Sequence, residues 1–226
     1  MDPLQNTGDP SAAALLSDFQ AMLGGDAVEL SDPEVVADWR EKLQAAMRDG
    51  PELRPQLGAA LGELMRESKR WANRTDYQWV PVGGGRLAVG HRPQRKAIEA
   101  MPVSGVTHVV TLLCETEGAP AIGADVARAG VKWIWLPLEN GEPPPLEKVN
   151  DIQTGFTEIR TALEEGGSLY LHCSAGIHRT GMVSYALLRS LGRTESESLD
   201  LLGKLRTITC EGVGDHRLAW GNQFGD

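Results

Sequence analysis

Residues 168–181 read Ser-Leu-Tyr-Leu-His-Cys-Ser-Ala-Gly-Ile-His-Arg-Thr-Gly. The stretch 168–172 is short and mostly apolar, as a buried strand requires. A turn follows, and from Gly181 to Leu191 apolar residues recur at helical spacing. A strand, a tight turn and a helix in that order build a backbone cradle for an anion. The amides of Ser174, Ala175, Gly176, Ile177, His178 and Arg179 can turn inward, and the helix beginning near Thr180 adds its positive end. The field that binds a phosphate dianion also favours a thiolate at Cys173, which attacks without a separate base. Arg179 lies six positions after Cys173 and can fold back to give phosphate oxygens two parallel hydrogen bonds. Gly176 and Gly181 allow close backbone approach.

Around this stretch, strand and helix patterns alternate. Short strands at 77–82 and 86–89 flank Gly83-Gly84-Gly85. Then come a strand at 106–113, a helix at 119–129, a strand at 131–136 and an amphipathic helix at 146–164; helices at 181–191 and 195–205 follow the cradle. The pattern predicts an α/β fold with a central, mostly parallel sheet flanked by helices. Ligands bind such sheets outside the carboxyl ends of the strands, where Cys173 lies. The first third differs. Residues 1–10 read as a mobile tail, and three amphipathic helices follow. The first spans about 12–23, the second starts at Ser31-Asp32-Pro33-Glu34 with a capping-box pattern, and the third spans about 51–71. Their stripes are Leu15, Leu16, Phe19, Met22 and Leu23; Val35, Val36, Trp39, Leu43 and Met47; and Leu57, Leu61, Leu64 and Met65. This predicts a helical extension at 1–75, with a packing role, and a catalytic domain at 76–226.

The chain has 226 residues, a formal net charge of -9 and 41% hydrophobic residues. That is an ordinary globular composition. Its acidity argues against nucleic acid or an anionic membrane as a partner held by bulk charge. The cysteines, Cys114, Cys173 and Cys210, suit neither a disulfide framework nor a zinc site, so no metal and no cofactor are expected. No secretory signal is visible, and no apolar run approaches the ~20 residues of a membrane span. These features suggest a reducing, cytoplasmic setting.

The string His172-Cys173-x-x-Gly176-x-x-Arg179-Thr180-Gly181 resembles the signature loop of the cysteine-dependent protein tyrosine phosphatase superfamily. The order of elements over about 77–224 is similar to its compact dual-specificity branch. The resemblance implies that Cys173 is the nucleophile and Arg179 the phosphate-binding arginine. It implies that Thr180 assists breakdown of the phosphoenzyme and that His172 supports the loop.

The family's general acid is an aspartate on a loop upstream of the cysteine. Here the matching stretch, 136–144, reads Leu-Pro-Leu-Glu-Asn-Gly-Glu-Pro-Pro, and Asn140 holds the acid's place between Glu139 and Glu142. An amide donates no proton at neutral pH, and acid help is typically worth about 10²–10⁴-fold. Three solutions stand open: Glu139 or Glu142 serves, His178 or Asp215 serves, or no acid exists. His178 either faces the pocket or points to solvent. Arg92 is a candidate for the pocket wall, Cys114 for an oxidative disulfide with Cys173, and Asp215, His216, Arg217 and Trp220 for the region that positions water. Trp133, Trp135 and Trp220 are expected in the core or at the pocket rim.

The leading function is hydrolysis of phosphotyrosine, and of phosphoserine or phosphothreonine, in proteins through a cysteinyl-phosphate. One alternative keeps the chemistry on a nucleotide, an RNA 5'-triphosphate or an inositol phosphate. The other is a phosphate-binding pseudophosphatase. Ser174, Ala175 and Ile177 stand where inositide-directed relatives carry lysines, which argues against a highly charged headgroup.

Overall fold

The computed structural model describes residues 12–24, 30, 33–72 and 77–225. The chain divides into two compact units, Met1–Trp71 and Ala72–Asp226. The tail 1–10 and the capping residues Ser31 and Asp32 lie outside the described residues.

The first unit contains α1 (Ala12–Gly24), α2 (Pro33–Asp49) and α3 (Arg54–Ala72). Leu15, Phe19, Leu30, Leu43, Leu57, Ala60 and Leu64 form its core. Phe19 meets Trp39 edge to face at 5.3 Å. Leu15, Phe19, Leu43, Leu57 and Leu64 lie on the predicted stripes, whereas Leu30 and Ala60 do not, and Met65 is 46% exposed and lies outside the core. It neighbours Leu64 in sequence, about 100° round the helix, which carries it off the buried face.

The second unit is built on a five-stranded sheet of order β1-β2-β5-β3-β4. The strands are β1 (Val80–Val82), β2 (Gly85–Gly90), β3 (His108–Thr111), β4 (Lys132–Trp135) and β5 (Ser168–His172). Only β1 is antiparallel, joined to β2 by a tight hairpin; the other pairings are parallel. Central β5 is buried at all five positions. Its apolar run is what a strand covered on both faces requires. The flanking helices are α4 (Arg95–Ala100), α5 (Ala119–Arg128), α6 (Val149–Glu164), α7 (His178–Ser190), α8 (Glu195–Leu205), α9 (Thr207–Gly212) and α10 (Asp215–Asn222). α6 packs on β2, β4 and β5, whereas α7 packs on β5, and α8 on β1 and β2. Leu169, Leu171, Val109, Val110, Val183 and Leu187 are almost fully buried between these layers. Each such side chain contributes about 1.5–3 kcal/mol of burial free energy.

The observed strands are shorter than their apolar patterns. Val106 is buried like a strand residue, but its amide bonds to Met101 outside the ladder; Leu112 is also buried, and its amide bonds to the carbonyl of His172, the last residue of β5. β5 pairs with β2 and β3 so that Gly90, His172 and Thr111 stand side by side at the carboxyl end of the sheet. That row is the floor of the candidate site.

Candidate active site

Cys173 follows β5 directly and is 3% exposed. Its sulfur accepts a hydrogen bond from the amide of Gly176 at 3.2 Å. Around it the turn carries its carbonyls outward. Ser174 O accepts from the Arg92 amide at 2.8 Å. Ala175 O accepts from Arg206 Nη1 at 3.0 Å, and Gly176 O from Arg206 Nη1 at 3.1 Å and Thr209 Oγ1 at 2.6 Å. A trans peptide points its carbonyl and the next amide in opposite directions. The amides of Ala175, Gly176 and Ile177 therefore face away from these outer donors, toward the interior of the turn. Gly176 has φ 75°, and a Cβ there would lie 2.3 Å from the Gly90 carbonyl group. Glycine alone fits that backbone at that distance. α7 begins at His178, two residues before the predicted start, so Arg179 and Thr180 already belong to its first turn.

His172 holds the floor. It is fully buried, and burial lowers its pKa to about 4, so the ring is neutral at pH 7. Its Nδ1 lies 3.0 Å from the Cys173 carbonyl, which can only accept, so Nδ1 carries the proton. Nε2 then accepts from Thr111 Oγ1 at 3.0 Å, and Thr111 Oγ1 accepts from Trp133 Nε1 at 2.9 Å. A single relay from β4 through β3 thus fixes the peptide after the cysteine.

Arg179 is 9% exposed and is oriented by two other loops. Its Nη1 and Nη2 donate to Glu117 Oε2 and Oε1 at 2.6 and 2.7 Å, and Nη1 also donates to Leu138 O at 3.0 Å. A guanidinium has five N–H donors. This end-on grip leaves Nε–H and one Nη2 hydrogen, a side-on fork suited to two oxygens of a phosphate. Glu117 also accepts from the Cys114 amide at 2.9 Å and from its thiol at 3.1 Å. The Arg179 guanidinium, aided by these bonds, lowers the Glu117 pKa to about 2. Thr180 Oγ1 is buried without a hydrogen-bond partner.

The remaining candidates scatter. Arg92 donates to Glu117 O at 2.8 Å and buttresses the site from behind. Cys114 is a free thiol on the Glu117 turn. His178 is exposed, and Trp135 is exposed at the edge strand. Asn140 is spent on its own loop, its Oδ1 accepting from the Glu142 amide at 2.8 Å. Glu142 is paired with Arg217 and His216. Glu139 is exposed and makes no hydrogen bond or ion pair with any described residue. Asp215 is exposed in the first turn of α10. Sequence reading missed Glu117, Arg206 and Thr209. Only Glu117 carried a local signal, a capping-box spacing from Cys114.

A cysteine sulfur under an amide turn, beside a held arginine fork, is an arrangement suited to binding a phosphate group. Residues 84–192 match the family model described as the polymorphic toxin system DSP-PTPase phosphatase. Among solved structures the chain is similar to Tk-PTP in the active form, with 22% identity and TM-score 0.53 over 62% of this chain and 91% of that one. It is also similar to kinase associated phosphatase with its catalytic cysteine replaced by serine, with 16% identity and TM-score 0.56 over 65% and 91%. A third is PTPMT1 in complex with PI(5)P, with 19% identity and TM-score 0.52 over 61% and 89%. No curated protein matches the chain. The second unit thus has the fold of protein tyrosine phosphatases, and its residues 84–192 match a phosphatase family of the dual-specificity type.

Proposed function

We propose that this enzyme hydrolyses phosphomonoesters on proteins, phosphotyrosine together with phosphoserine and phosphothreonine, through a cysteinyl-phosphate. The observation that carries the reading is the Cys173 sulfur beneath the turn amides with the side-on fork of Arg179 left for a ligand. In the first step Cys173 Sγ bonds to phosphorus, the phosphorus–oxygen ester bond breaks, and Glu139 gives its proton to the leaving oxygen. In the second, water attacks phosphorus, Glu139 takes back a proton, and phosphate leaves with the Cys173 thiolate regenerated. Thr180 hydroxyl, lacking any partner of its own, donates to the sulfur as it becomes the leaving group. Glu139 takes the acid's role because Asn140 and Glu142 are already committed elsewhere.

A phosphoinositide is the second reading, favoured by the PTPMT1 complex with PI(5)P. The turn offers no lysine, and Arg92, Arg206 and Arg217 are each engaged on backbone carbonyls, which supports a singly phosphorylated group instead. The matched family places such a phosphatase in a polymorphic toxin system, and we assign this chain the same setting. We assign 76–226 as the catalytic domain and 1–75 as its helical extension. The free thiols suit a reducing cytoplasmic compartment. No helix among the described residues is long and apolar enough to cross a membrane.

The test is turnover of phosphotyrosine, phosphoserine and phosphothreonine peptides beside PI(5)P in vesicles, for wild type, Cys173→Ser and Glu139→Gln. Peptide turnover that vanishes in Cys173→Ser is expected. Turnover confined to PI(5)P overturns the substrate assignment, and turnover surviving in Cys173→Ser overturns the mechanism.

A further inference from the structure

The segment 137–145 consists mostly of Pro, Glu, Asn and Gly, with little apolar surface to hold it in place. Two fixed points hold it. At Leu138, the amide donates to Leu112 O at 3.1 Å, and the carbonyl accepts from Arg179. At Gly141 and Glu142, the hold comes from α10. Arg217, with its side chain 11% exposed, donates through Nε to the Gly141 carbonyl and through Nη2 to Glu142 Oε1 at 2.8 Å. Its Nη1 donates to Val213 O at 2.9 Å, tying the guanidinium to its own helix start. His216 Nε2 lies 3.1 Å from the other Glu142 oxygen. Gly141 in turn rests on the first residue of α7: a Cβ there would lie 3.2 Å from His178 Cβ. Glu139 and Asn140 are therefore slung between two anchors only three residues apart, and Asn140 is folded back on the loop.

We infer that Arg217 is a positioning residue for leaving-group protonation: it holds the segment that carries Glu139 at a fixed height over the phosphate cradle. The inference rests on the phosphatase reading above. The ion pair with Glu142 is not the main anchor, because that carboxylate is 62% exposed and surface pairs are worth little. The nearly buried guanidinium fork is the anchor, since it reaches a loop carbonyl, a loop carboxylate and its own helix at once. Lysine, a point charge, cannot reproduce that fork. The consequence is selective. Losing Arg217 leaves Cys173, Arg179 and the turn amides in place but lets Glu139 drift from the leaving oxygen.

The experiment uses the full chain as wild type, Arg217→Gln and Arg217→Lys. It measures kcat/KM for aryl phosphates of decreasing leaving-group acidity and for an alkyl phosphate, together with inhibition by inorganic phosphate. The expected loss in Arg217→Gln is about 10–100-fold on the alkyl phosphate, within the range of general acid help, and less than about threefold on the most acidic leaving group. Inhibition by phosphate is expected to stay unchanged, and Arg217→Lys to behave like Arg217→Gln. A uniform loss across the series, no loss, or full rescue by lysine overturns the inference. A wild type with no turnover on any substrate overturns the phosphatase reading instead. The clamp is then still read by amide hydrogen exchange at 138–142, which should accelerate in Arg217→Gln; unchanged exchange overturns the clamp as well.

Discussion

Replacing Glu117 by Gln removes the anion that orients Arg179 while keeping the side chain's shape. The carboxylate receives four donors: Arg179 Nη1 and Nη2 at 2.6 and 2.7 Å, and the Cys114 amide and thiol at 2.9 and 3.1 Å. An amide offers one oxygen to these, and its NH₂ meets the remaining donor head on. Hydrogen bonds to charged groups are worth about 1.5–3 kcal/mol each when buried. The Glu117 side chain is 30% exposed, so we discount the pair to about 1–2 kcal/mol of stability at pH 7. In catalysis, a fork free to rotate should lower kcat/KM by about 10–100-fold, since about 1.4 kcal/mol is tenfold. The sign with pH follows from the depressed pKa of about 2. The pair's stability is fully present above the ordinary carboxylate pKa of about 4.5 and is lost as pH falls through about 2. The assays are kcat/KM on an aryl phosphate, inhibition by inorganic phosphate, and urea unfolding of both proteins at pH 7 and at low pH. The stability gap should narrow toward pH 2. A variant within twofold of wild type in kcat/KM, with equal stability at pH 7, refutes the role given to Glu117.

Two further outcomes follow from the floor and the outer brace of the turn. Burial lowers the His172 pKa from an ordinary 6.5 to about 4. The neutral ring's contribution is therefore present above about pH 6.5 and lost as pH falls through about 4, a change of about 3 kcal/mol. The difference in unfolding free energy between wild type and His172→Asn should shrink across that window, and a difference independent of pH contradicts the assignment. Thr209→Val removes the 2.6 Å bond to the Gly176 carbonyl from a fully buried position. It should cost about 1–3 kcal/mol and lower kcat about tenfold; an unchanged unfolding midpoint counts against the brace.

The backbone of the site was legible where it is local. The strand at 168–172, the turn and the helix after it lie in one continuous stretch, so periodicity and glycine placement sufficed. The three amphipathic N-terminal helices and the alternating strands were legible for the same reason. Two kinds of feature escaped. Glu117, Arg206 and Thr209 act across 30 to 62 positions in the chain, and no spacing rule connects them to Cys173 or Arg179. The short helices α4, α9 and α10 also went unpredicted. α9 reads Thr-Ile-Thr-Cys-Glu-Gly, a β-branched run with poor intrinsic helicity, and packing on α7 and α8 overrides that preference. The acid segment was partly legible. The sequence named Glu139, Glu142, His178 and Asp215 as possible acids and did not choose among them. The pairing of Glu142 with Arg217 and His216, from the other end of the domain, had no local signal.

The most direct test of the account is trapping the intermediate. Wild-type enzyme mixed with a phosphorylated substrate and quenched in acid within milliseconds should carry one phosphoryl group on the sulfur of Cys173, located by peptide mass analysis. The adduct should accumulate in Thr180→Ala, where its hydrolysis is slowed, and be absent in Cys173→Ser. Turnover of the same substrate with no adduct on Cys173 in any of these proteins, or with the adduct on another residue, contradicts the account.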